Sequence, residues 1–339
     1  MKLAFFELEG WEPEILKKRF PTHELTFSSL PMDGYFESAR DFDAVSVFVN
    51  SKVDKEALLR FPNLKFLTAR CTGYDHIDLK ACAERGITVS YVPGYGDNTV
   101  AEFAFGLILA LTRKIYLAID QVKETGSFDF KSLRGIDLKG KTIGVIGTGR
   151  IGKEAVKIAK GFGMKVLAYD LMPDKAFADE TGFSYVPLEE LLKNSDVVSL
   201  HAPLNDTTKH ILNMGNIVLM KKGAYLVNTA RGPLVETDAL VYALQNGILA
   251  GAGLDVLEEE GDVKDEMKFL AEEKHSDGEM KTVLENHVLM RMKNVLVTPH
   301  NAFNSQEAME RILETTMQNI EAYIAGRPTR TIAYENTKT

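Results

Sequence analysis

The stretch TIGVIGTGRIGKEAVKIAKGFGMKVLAYD, residues 142–170, decides the fold of this chain. It opens with an apolar run, continues through Gly147-x-Gly149-x-x-Gly152 into a segment of helical periodicity, and closes with a second apolar run that ends at Asp170. Glycines at this spacing are weak evidence alone, because the pattern recurs by chance. Here a strand pattern precedes them, a helix pattern follows, and an acid ends the next strand. The combination predicts the unit that binds dinucleotides in doubly wound α/β proteins.

Each part of this stretch has a physical role at a dinucleotide. Gly147 allows a sharp turn, Gly149 lets the backbone approach a pyrophosphate, and Gly152 lets the helix pack closely on the strand. The free N–H groups of the first helical turn, which holds Arg150 and Ile151, face the phosphates together with the positive end of the helix dipole. We therefore predict that these five residues bind the cofactor.

Asp170 indicates which dinucleotide binds. Its carboxylate would accept hydrogen bonds from the adenosine ribose and would repel a 2′-phosphate. The next residues, Leu171-Met172-Pro173, offer no basic replacement, so NAD is predicted rather than NADP. The alternative is a glycine-rich turn in another kind of α/β protein, with Asp170 as a helix cap.

The rest of the chain alternates strand and helix patterns, which indicates α/β architecture with parallel sheets. In the first hundred residues we predict strands at 2–8, 44–50, 65–71 and 87–91, and helices at 54–61 and 78–84. Continuous apolar runs predict buried parallel strands at 142–147, 165–170, 196–201, 224–230, 251–256 and 295–299. Further helices are predicted at 99–124, 150–162, 188–193, 238–246 and 305–324.

These patterns predict two doubly wound parallel-sheet α/β domains, Rossmann- or flavodoxin-like, with a cleft between them. We expect an NAD-binding domain over residues 98–301 and a discontinuous substrate domain made of residues 1–97 and 302–339. The charged segment Glu258–Lys293 lacks a clean strand pattern and is interpreted as an insertion at the rim.

Composition excludes several classes of partner. The 339 residues are 45% hydrophobic and 26% charged, with a formal charge of −8 that argues against nucleic acid or an anionic membrane as partner. Glu7 and Glu9 interrupt any signal-peptide core, and the apolar run Phe103–Leu111 is too short to span a membrane. Two cysteines, without metal-ligand spacing, indicate reduced thiols in a cytoplasmic protein and no metal site.

Three polar groups follow three of the predicted strands. Arg231 follows the run that ends in Asn-Thr-Ala, Glu260 follows Gly-Leu-Asp-Val, and His300 follows Val-Thr-Pro. Residues just past the carboxyl ends of the strands line the ligand crevice of an open parallel sheet. Taken singly, each has an ordinary alternative: a surface or helix-cap arginine, a solvated glutamate, or a loop histidine.

With these motifs the chain resembles the D-2-hydroxyacid dehydrogenase family, and within it the D-lactate dehydrogenases. The resemblance covers nearly the whole chain and is strongest from Thr142 to Phe303. It implies an oxidoreductase that transfers a hydride between NADH and a small 2-keto acid, with pyruvate and D-lactate as the expected pair. It also implies a homodimer built on the long helix predicted at 99–124.

The resemblance implies a role for each polar group. Arg231 would bind the substrate carboxylate and contact the cofactor, and His300 would be the general acid/base that binds the substrate carbonyl. Glu260 would be the acid paired with His300, because the family's acid lies five residues beyond the aspartate that corresponds to Asp255. The residue types agree: a guanidinium can hold a carboxylate bidentately, and a neighbouring carboxylate favours a protonated imidazole.

Further contacts are implied for both ligands. Thr72 and Gly73 would offer N–H groups to the substrate carboxylate, Tyr95 and Phe303 would surround a short substrate side chain, and Asp255 would bind the nicotinamide amide. For the two aromatic residues, core packing is a serious alternative. The cofactor would also be lined by Ala202, Pro203, Thr208, Thr229 and Ala230.

Departures from the family pattern leave alternatives open. Gly96-Asp97 stands where D-lactate enzymes commonly have Ser-Pro, and the segment Glu258–Lys293 is long. A glyoxylate/hydroxypyruvate-type or phosphoglycerate-type dehydrogenase is one alternative. An NAD-sensing binding protein like the corepressors of this superfamily is the other, and it would lack fast turnover with 2-keto acids.

Overall fold

Residues 1–35, 41–260 and 276–334 are described by the computed structural model. The chain divides into one unit made of Met1–Tyr95 with Ser305–Thr339 and another made of Gly96–Asn304. The second unit is therefore inserted in sequence between the two segments of the first.

The first unit contains a six-stranded sheet in the order β13-β5-β4-β3-β1-β2. Five strands run parallel, and β13 pairs antiparallel with β5. Its strands are β1 (Lys2–Phe5), β2 (Glu24–Phe27), β3 (Ala44–Val47), β4 (Phe66–Ala69), β5 (Thr88–Ser90) and β13 (Thr331–Ile332). Its helices are α1 (Glu12–Arg19), α2 (Lys55–Leu59), α3 (Leu79–Glu84) and α11 (Gln306–Ile324).

The second unit contains a seven-stranded parallel sheet in the order β12-β11-β10-β9-β6-β7-β8. Its strands are β6 (Thr142–Ile146), β7 (Lys165–Tyr169), β8 (Ser184–Tyr185), β9 (Val197–Leu200), β10 (Ala224–Asn228), β11 (Leu249–Leu254) and β12 (Val295–Val297). Its helices are α4 (Asp97–Thr112), α5 (Ile115–Thr125), α6 (Arg150–Gly161), α7 (Lys175–Thr181), α8 (Leu188–Asn194), α9 (Thr237–Gln245) and α10 (Asp277–Arg291). The strand order reverses between β6 and β9, and this reversal is where a doubly wound sheet opens its ligand crevice.

Both faces of the second sheet are buried, as continuous apolar strands require. Val145 belongs to an apolar cluster with α4 and α6, whereas its neighbour Ile146 belongs to another cluster with α8 and α9. The predicted class, two doubly wound parallel-sheet α/β units, is confirmed.

The single long helix predicted at 99–124 is wrong, because two helices, α4 and α5, meet at Lys114. Lys114 has a left-handed φ of 51°. The Thr112 carbonyl, which a continuous helix would bond to residue 116, accepts instead from Ile136 N at 2.9 Å. The segment near Gly135 thus ends α4, because Ile136 N donates to the carbonyl of Thr112, the last residue of the helix.

The segment interpreted as an insertion contains one helix that the pattern did not predict. Ser276 and Glu279 form a reciprocal capping box that begins α10. The remainder of the segment, residues 261–275, lies outside the described residues.

Among the described residues, no helix is both long and apolar enough to cross a membrane. Within the same ranges, no group of three His, Cys, Asp or Glu side chains could hold a metal ion. Cys71 and Cys82 are both buried, and neither forms a disulfide within the described residues.

Candidate active site

The glycine turn has the geometry that a dinucleotide requires. Gly147 has a φ of +88°, and a Cβ there would lie 2.7 Å from Ala202 N. A Cβ on Gly152 would lie 2.0 Å from the Gly147 carbonyl oxygen. At Gly149, by contrast, no atom of the described residues, apart from its chain neighbours, lies within 4 Å of the Cβ position. Packing within the protein therefore explains two glycines, and the open space at the third fits the close approach of a pyrophosphate.

Helix α6 begins directly after this turn. Its N-cap, Gly149, has no side chain to cap the first N–H groups, so these donors suit phosphate oxygens. Arg150 Nε donates to Asp97 Oδ2 at 2.7 Å, and Ile151 packs on the apolar cluster of α4 and α6. The departure at Gly96-Asp97 thus has a local role, because Asp97 pairs with the first residue of α6.

Asp170 is held by a directed chain of hydrogen bonds. Its Oδ2 accepts from Thr148 N at 2.6 Å and from Thr148 Oγ1 at 2.9 Å, and its Oδ1 accepts from Met172 N at 2.8 Å. Tyr185 OH lies 2.8 Å from Thr148 Oγ1 and accepts from Asp174 N at 3.2 Å. Because a carboxylate only accepts, Thr148 donates to Asp170 and Tyr185 donates to Thr148. A carboxylate fixed in this way fits the ribose of NAD.

The loops after β9 and β10 carry the other cofactor candidates. Ala202 follows the buried His201 and lies against Gly147. Thr208 Oγ1 donates to the Pro203 carbonyl at 2.6 Å, which closes that loop on itself.

Thr229 and Ala230 lie at the end of β10. The Thr229 hydroxyl is buried and has no hydrogen-bond partner among the described residues. A buried orphan polar group of this kind is rare without a ligand or water, so this residue also fits a bound cofactor.

Arg231 is positioned by the Asn228 side chain. Asn228 Oδ1 accepts from Ala230 N at 3.0 Å, and its Nδ2 donates to the Arg231 carbonyl at 2.8 Å. The half-buried Arg231 guanidinium donates to the Ala230 carbonyl at 2.8 Å. Next to it, a Cβ on Gly232 would lie 2.0 Å from the Leu257 carbonyl oxygen, so the Arg231 loop packs tightly on the segment before Glu260.

His300 and Glu260 are brought together from the ends of β12 and β11. His300 Nδ1 lies 3.2 Å from Glu260 Oε1, and the two side chains are 36% and 21% exposed. A carboxylate accepts, so Nδ1 carries the hydrogen and Nε2 is left as the nitrogen that can exchange a proton with substrate. His300 has a left-handed φ of 52°.

The Asp255 carboxylate accepts three hydrogen bonds from the loop that contains His300. Its Oδ1 accepts from Thr298 Oγ1 at 2.5 Å and Asn301 N at 2.8 Å, and its Oδ2 accepts from Ala302 N at 2.8 Å. Burial raises the pKa of this carboxyl above its usual value, and these hydrogen bonds oppose the rise. Its predicted contact with nicotinamide stays a prediction, and the structure adds this bracing role.

The remaining substrate candidates are divided between the units. Thr72, Gly73 and Tyr95 belong to the first unit, whereas Phe303 belongs to the second. Thr72 Oγ1 donates to the Val92 carbonyl at 2.9 Å, which ties the loop after β4 to the loop after β5. All four residues are at least partly exposed.

Sequence reasoning missed the residues that support the site rather than form it. They are Asn228, which bonds within its own turn, and Gly232, Glu258 and Thr298, each of which contacts another loop at the carboxyl ends of the strands of the second sheet. Asn228 alone had a local signal, because an asparagine that ends a strand commonly bonds its own turn.

Comparisons with known proteins agree with this geometry. The family described as D-isomer specific 2-hydroxyacid dehydrogenase, NAD binding domain, matches residues 105–302. The 2-hydroxyacid dehydrogenase A of Aspergillus oryzae is 41% identical, over 96% of this chain and 93% of that protein. A glyoxylate reductase of Thermofilum pendens is 40% identical, over 85% of this chain and 80% of that protein. The solved D-lactate dehydrogenase of Aquifex aeolicus, complexed with NAD and lactic acid, has a TM-score of 0.83 and 36% identity, over 96% of each chain.

The chain therefore belongs to the D-isomer specific 2-hydroxyacid dehydrogenase family. It is an oxidoreductase whose cofactor is NAD and whose substrates are small 2-hydroxy or 2-keto acids. The predicted family, fold class and cofactor are confirmed.

Proposed function

We propose that the protein reduces pyruvate to D-lactate with NADH. The hydrogen bond between His300 and Glu260 carries the proposal, because it makes an oriented acid–base pair. The pair lies past the carboxyl ends of the strands of the second sheet, as Arg231 does. Among relatives, a D-lactate dehydrogenase of Escherichia coli is 37% identical over 94% of this chain.

In the proposed mechanism, Arg231 binds the substrate carboxylate through two charge-assisted hydrogen bonds and so fixes the position of the keto carbon. Bound NADH supplies the hydride. His300, protonated and held by Glu260, gives its Nε2 proton to the carbonyl oxygen as the alkoxide forms. The keto acid, NADH and one proton thus become the hydroxy acid and NAD. The glycine turn, the start of α6 and Asp170 would hold the cofactor.

The test of the carboxylate-binding role is Arg231→Gln. Loss of a charge-assisted contact worth about 3 kcal/mol should raise KM for pyruvate on the order of 100-fold, with KM for NADH nearly unchanged. Steady-state kinetics with each substrate varied in turn will measure the split. Arg19→Gln is the control, because it removes the same charge from an ion pair with Glu321 in the first unit. An equal loss for both substrates contradicts the proposed role.

Glyoxylate or hydroxypyruvate reduction is the second candidate, favoured by the glyoxylate reductase relative. NADH oxidation with pyruvate, glyoxylate and hydroxypyruvate compared by kcat/KM will separate the two. Pyruvate should be preferred, and the product should be oxidised only by a D-specific enzyme. Slow turnover with all three would favour a binding protein.

We also propose a homodimer built on α5. This helix has no buried residue, and its apolar side chains Ile115, Ile119 and Val122 are 45%, 46% and 41% exposed. The following segment exposes Phe128 and Phe130 by 84% and 80%. Beside α5 lies a groove of about 990 Å³, lined in part by Tyr116, Leu133 and Met290. Several large apolar side chains exposed on one helix and on the segment after it are characteristic of an interface.

We further propose a cytoplasmic location. Its support is chemical: Cys71 and Cys82 form no disulfide in the part of the chain that the structure describes, as is usual in a reducing compartment. Cell fractionation followed by the NADH assay will check it.

A further inference from the structure

The carboxylate of Glu258 joins loops from three parts of the second unit. Its Oε1 accepts from His210 Nε2 at 2.6 Å, and its Oε2 accepts from Thr237 N at 3.2 Å and Thr237 Oγ1 at 2.8 Å. His210 lies beyond the cofactor loop after β9, and Thr237 begins the helix that follows the Arg231 loop. The side chain of Glu258 is only 11% exposed. Hydrogen bonds to a charged, nearly buried group are the strong ones, so this carboxylate is firmly anchored.

The backbone at Glu258 is held as well. Its carbonyl accepts from Asn286 Nδ2 at 2.7 Å, and Asn286 is 1% exposed. On the opposite side, a Cβ on Gly232 would lie 2.4 Å from Glu258 N, which shows how closely the Arg231 loop packs there. Position 258 is therefore fixed by its side chain, by α10 and by the Arg231 loop.

Three residues next to or in contact with the segment Glu258–Glu260 have a strained, left-handed backbone. Glu259 has a φ of 50°, His210 a φ of 51° and His300 a φ of 52°. These are three of the six non-glycine residues with positive φ in the described part of the chain. Residues with a Cβ disfavour the left-handed conformation, and they hold it only where the surrounding structure imposes it. Glu259 directly precedes Glu260, the residue that contacts His300.

We propose that Glu258 is a positioning residue that imposes the left-handed turn at Glu259 and so sets the contact between Glu260 and His300. Glu258 does not itself contact His300 in the described structure, and its effect on catalysis passes through Glu260. The inference rests on the proposed function of the Glu260–His300 pair. The alternative is that Glu258 is purely structural, so that it caps α9 and affects only the stability of the protein.

A double-mutant cycle tests the inference, with kcat for keto-acid reduction measured in wild type, Glu258→Gln, Glu260→Gln and the double variant. Glu260→Gln should lower kcat about 100-fold, since it removes the partner of the general acid. Glu258→Gln should lower kcat about 10-fold, because misplaced groups react slowly, with KM for NADH within about twofold of wild type. The double variant should match Glu260→Gln alone, since a group already removed cannot be misplaced.

The outcomes separate the two proposals. If the reductions multiply to about 1,000-fold, Glu258 acts independently of Glu260 and the inference is overturned while the proposed function stands. A wild-type kcat in Glu258→Gln would likewise overturn the inference and leave the proposed function standing. Wild-type kcat in Glu260→Gln overturns the proposed role of the acid–base pair, and the inference with it.

Two further variants guard against misfolding. His210→Gln leaves both glutamates in place but weakens the anchor, and it should lower kcat about threefold with the same lack of additivity in the Glu260→Gln background. Glu190→Gln makes the same charge change on the exposed face of α8 and should retain wild-type kcat. NADH binding, followed by fluorescence, should be retained in every variant, as it requires a folded second unit. Additive effects of His210→Gln and Glu260→Gln would overturn the inference.

Discussion

At position 232, a hydrogen in place of a side chain sets the spacing between two loops of the site. A Cβ there would lie 2.0 Å from the carbonyl carbon and oxygen of Leu257, which are backbone atoms that cannot swing aside. Gly232→Ala should therefore destabilise the protein by about 1–3 kcal/mol and lower kcat/KM for the keto acid by at least about tenfold. Denaturant unfolding and steady-state kinetics will measure both.

The matched control for Gly232→Ala is Gly161→Ala. Gly161 ends α6, and outside its own helix no atom in the described part of the chain lies within 4 Å of its Cβ position, so alanine there should be neutral or slightly stabilising. Equal effects of the two substitutions would show that the tight packing at Gly232 is unimportant.

His201 gives the second unit a pH-dependent stability. Burial lowers its pKa to about 4, whereas the unfolded chain binds the proton near pH 6.5. The unfolded state therefore binds more protons as the pH falls from 6.5 to 4, and stability is lost in that window. The loss attributable to this group is about 2 kcal/mol between pH 7 and pH 5.

The measurement is denaturant unfolding at pH 7 and pH 5 in wild type and His201→Gln. The stability of the variant should fall less on acidification, by about the 2 kcal/mol that the histidine contributes. Identical pH dependence in the two proteins would show that His201 is protonated in the folded state as readily as in the unfolded chain.

At the scale of elements, buried parallel strands were the most predictable. The apolar runs predicted for β6, β7 and β9–β12 all overlap observed strands, because a strand covered on both faces must be apolar throughout. The observed strands end earlier than the apolar runs in several cases. In β6 the strand ends at Ile146, and the next residue, Gly147, has a φ of +88° that a strand does not accommodate.

Elements whose apolar residues do not face a core were missed. The edge strand β2 is only partly buried, and β13 has two residues. In α10, Met280, Leu284 and Val288 recur at helical spacing but are 48%, 64% and 43% exposed. A short or exposed element gives too weak a periodic signal to distinguish it from a charged loop.

The residues of the candidate site also differ in how well the sequence could predict them. The glycines and Asp170 were predictable because their roles depend on local geometry within one strand–turn–helix unit. The Glu260–His300 pair was inferred only from the family resemblance, since the two residues come from different strands. The contact between Glu258 and His210 could not be predicted from the sequence, because it depends on how separate loops pack.

Strand β8 places Tyr185 at the end of the hydrogen-bond chain that holds Asp170. Its hydroxyl donates to Thr148, which in turn donates to Asp170. Tyr185→Phe removes the last donor and should loosen the carboxylate, raising KM for NADH about threefold, by the loss of roughly one neutral hydrogen bond, and weakening discrimination against NADPH.

Asp170→Ala is the reference for this prediction, since it should remove most of the preference for NADH. Tyr242→Phe, at an exposed tyrosine of α9, is the control. Initial rates with NADH and NADPH at fixed pyruvate will give the ratio. Discrimination unchanged in Asp170→Ala would remove the ribose assignment altogether.

At the scale of the whole molecule, the exposed aromatic residues after α5 predict the oligomeric state. Phe128 and Phe130 are too exposed for a stable core and fit burial in a second copy. Replacing both with serine should shift the protein from dimer to monomer in analytical ultracentrifugation, with little change in the secondary structure seen by circular dichroism. A wild-type protein that sediments as a monomer would refute the proposed dimer.

The pairing of β13 with β5 has a consequence for synthesis on the ribosome. Thr331 pairs with Ser90, and Asn319 of α11 donates to the Tyr91 carbonyl, yet the whole of Gly96–Asn304 is translated between these partners. At about 5–20 residues per second, the N-terminal sheet waits on the order of ten seconds or more for its last strand and its covering helix. During that interval its edge at β5 is open to wrong partners, so a nascent chain stalled before residue 305 should be the species that chaperones capture.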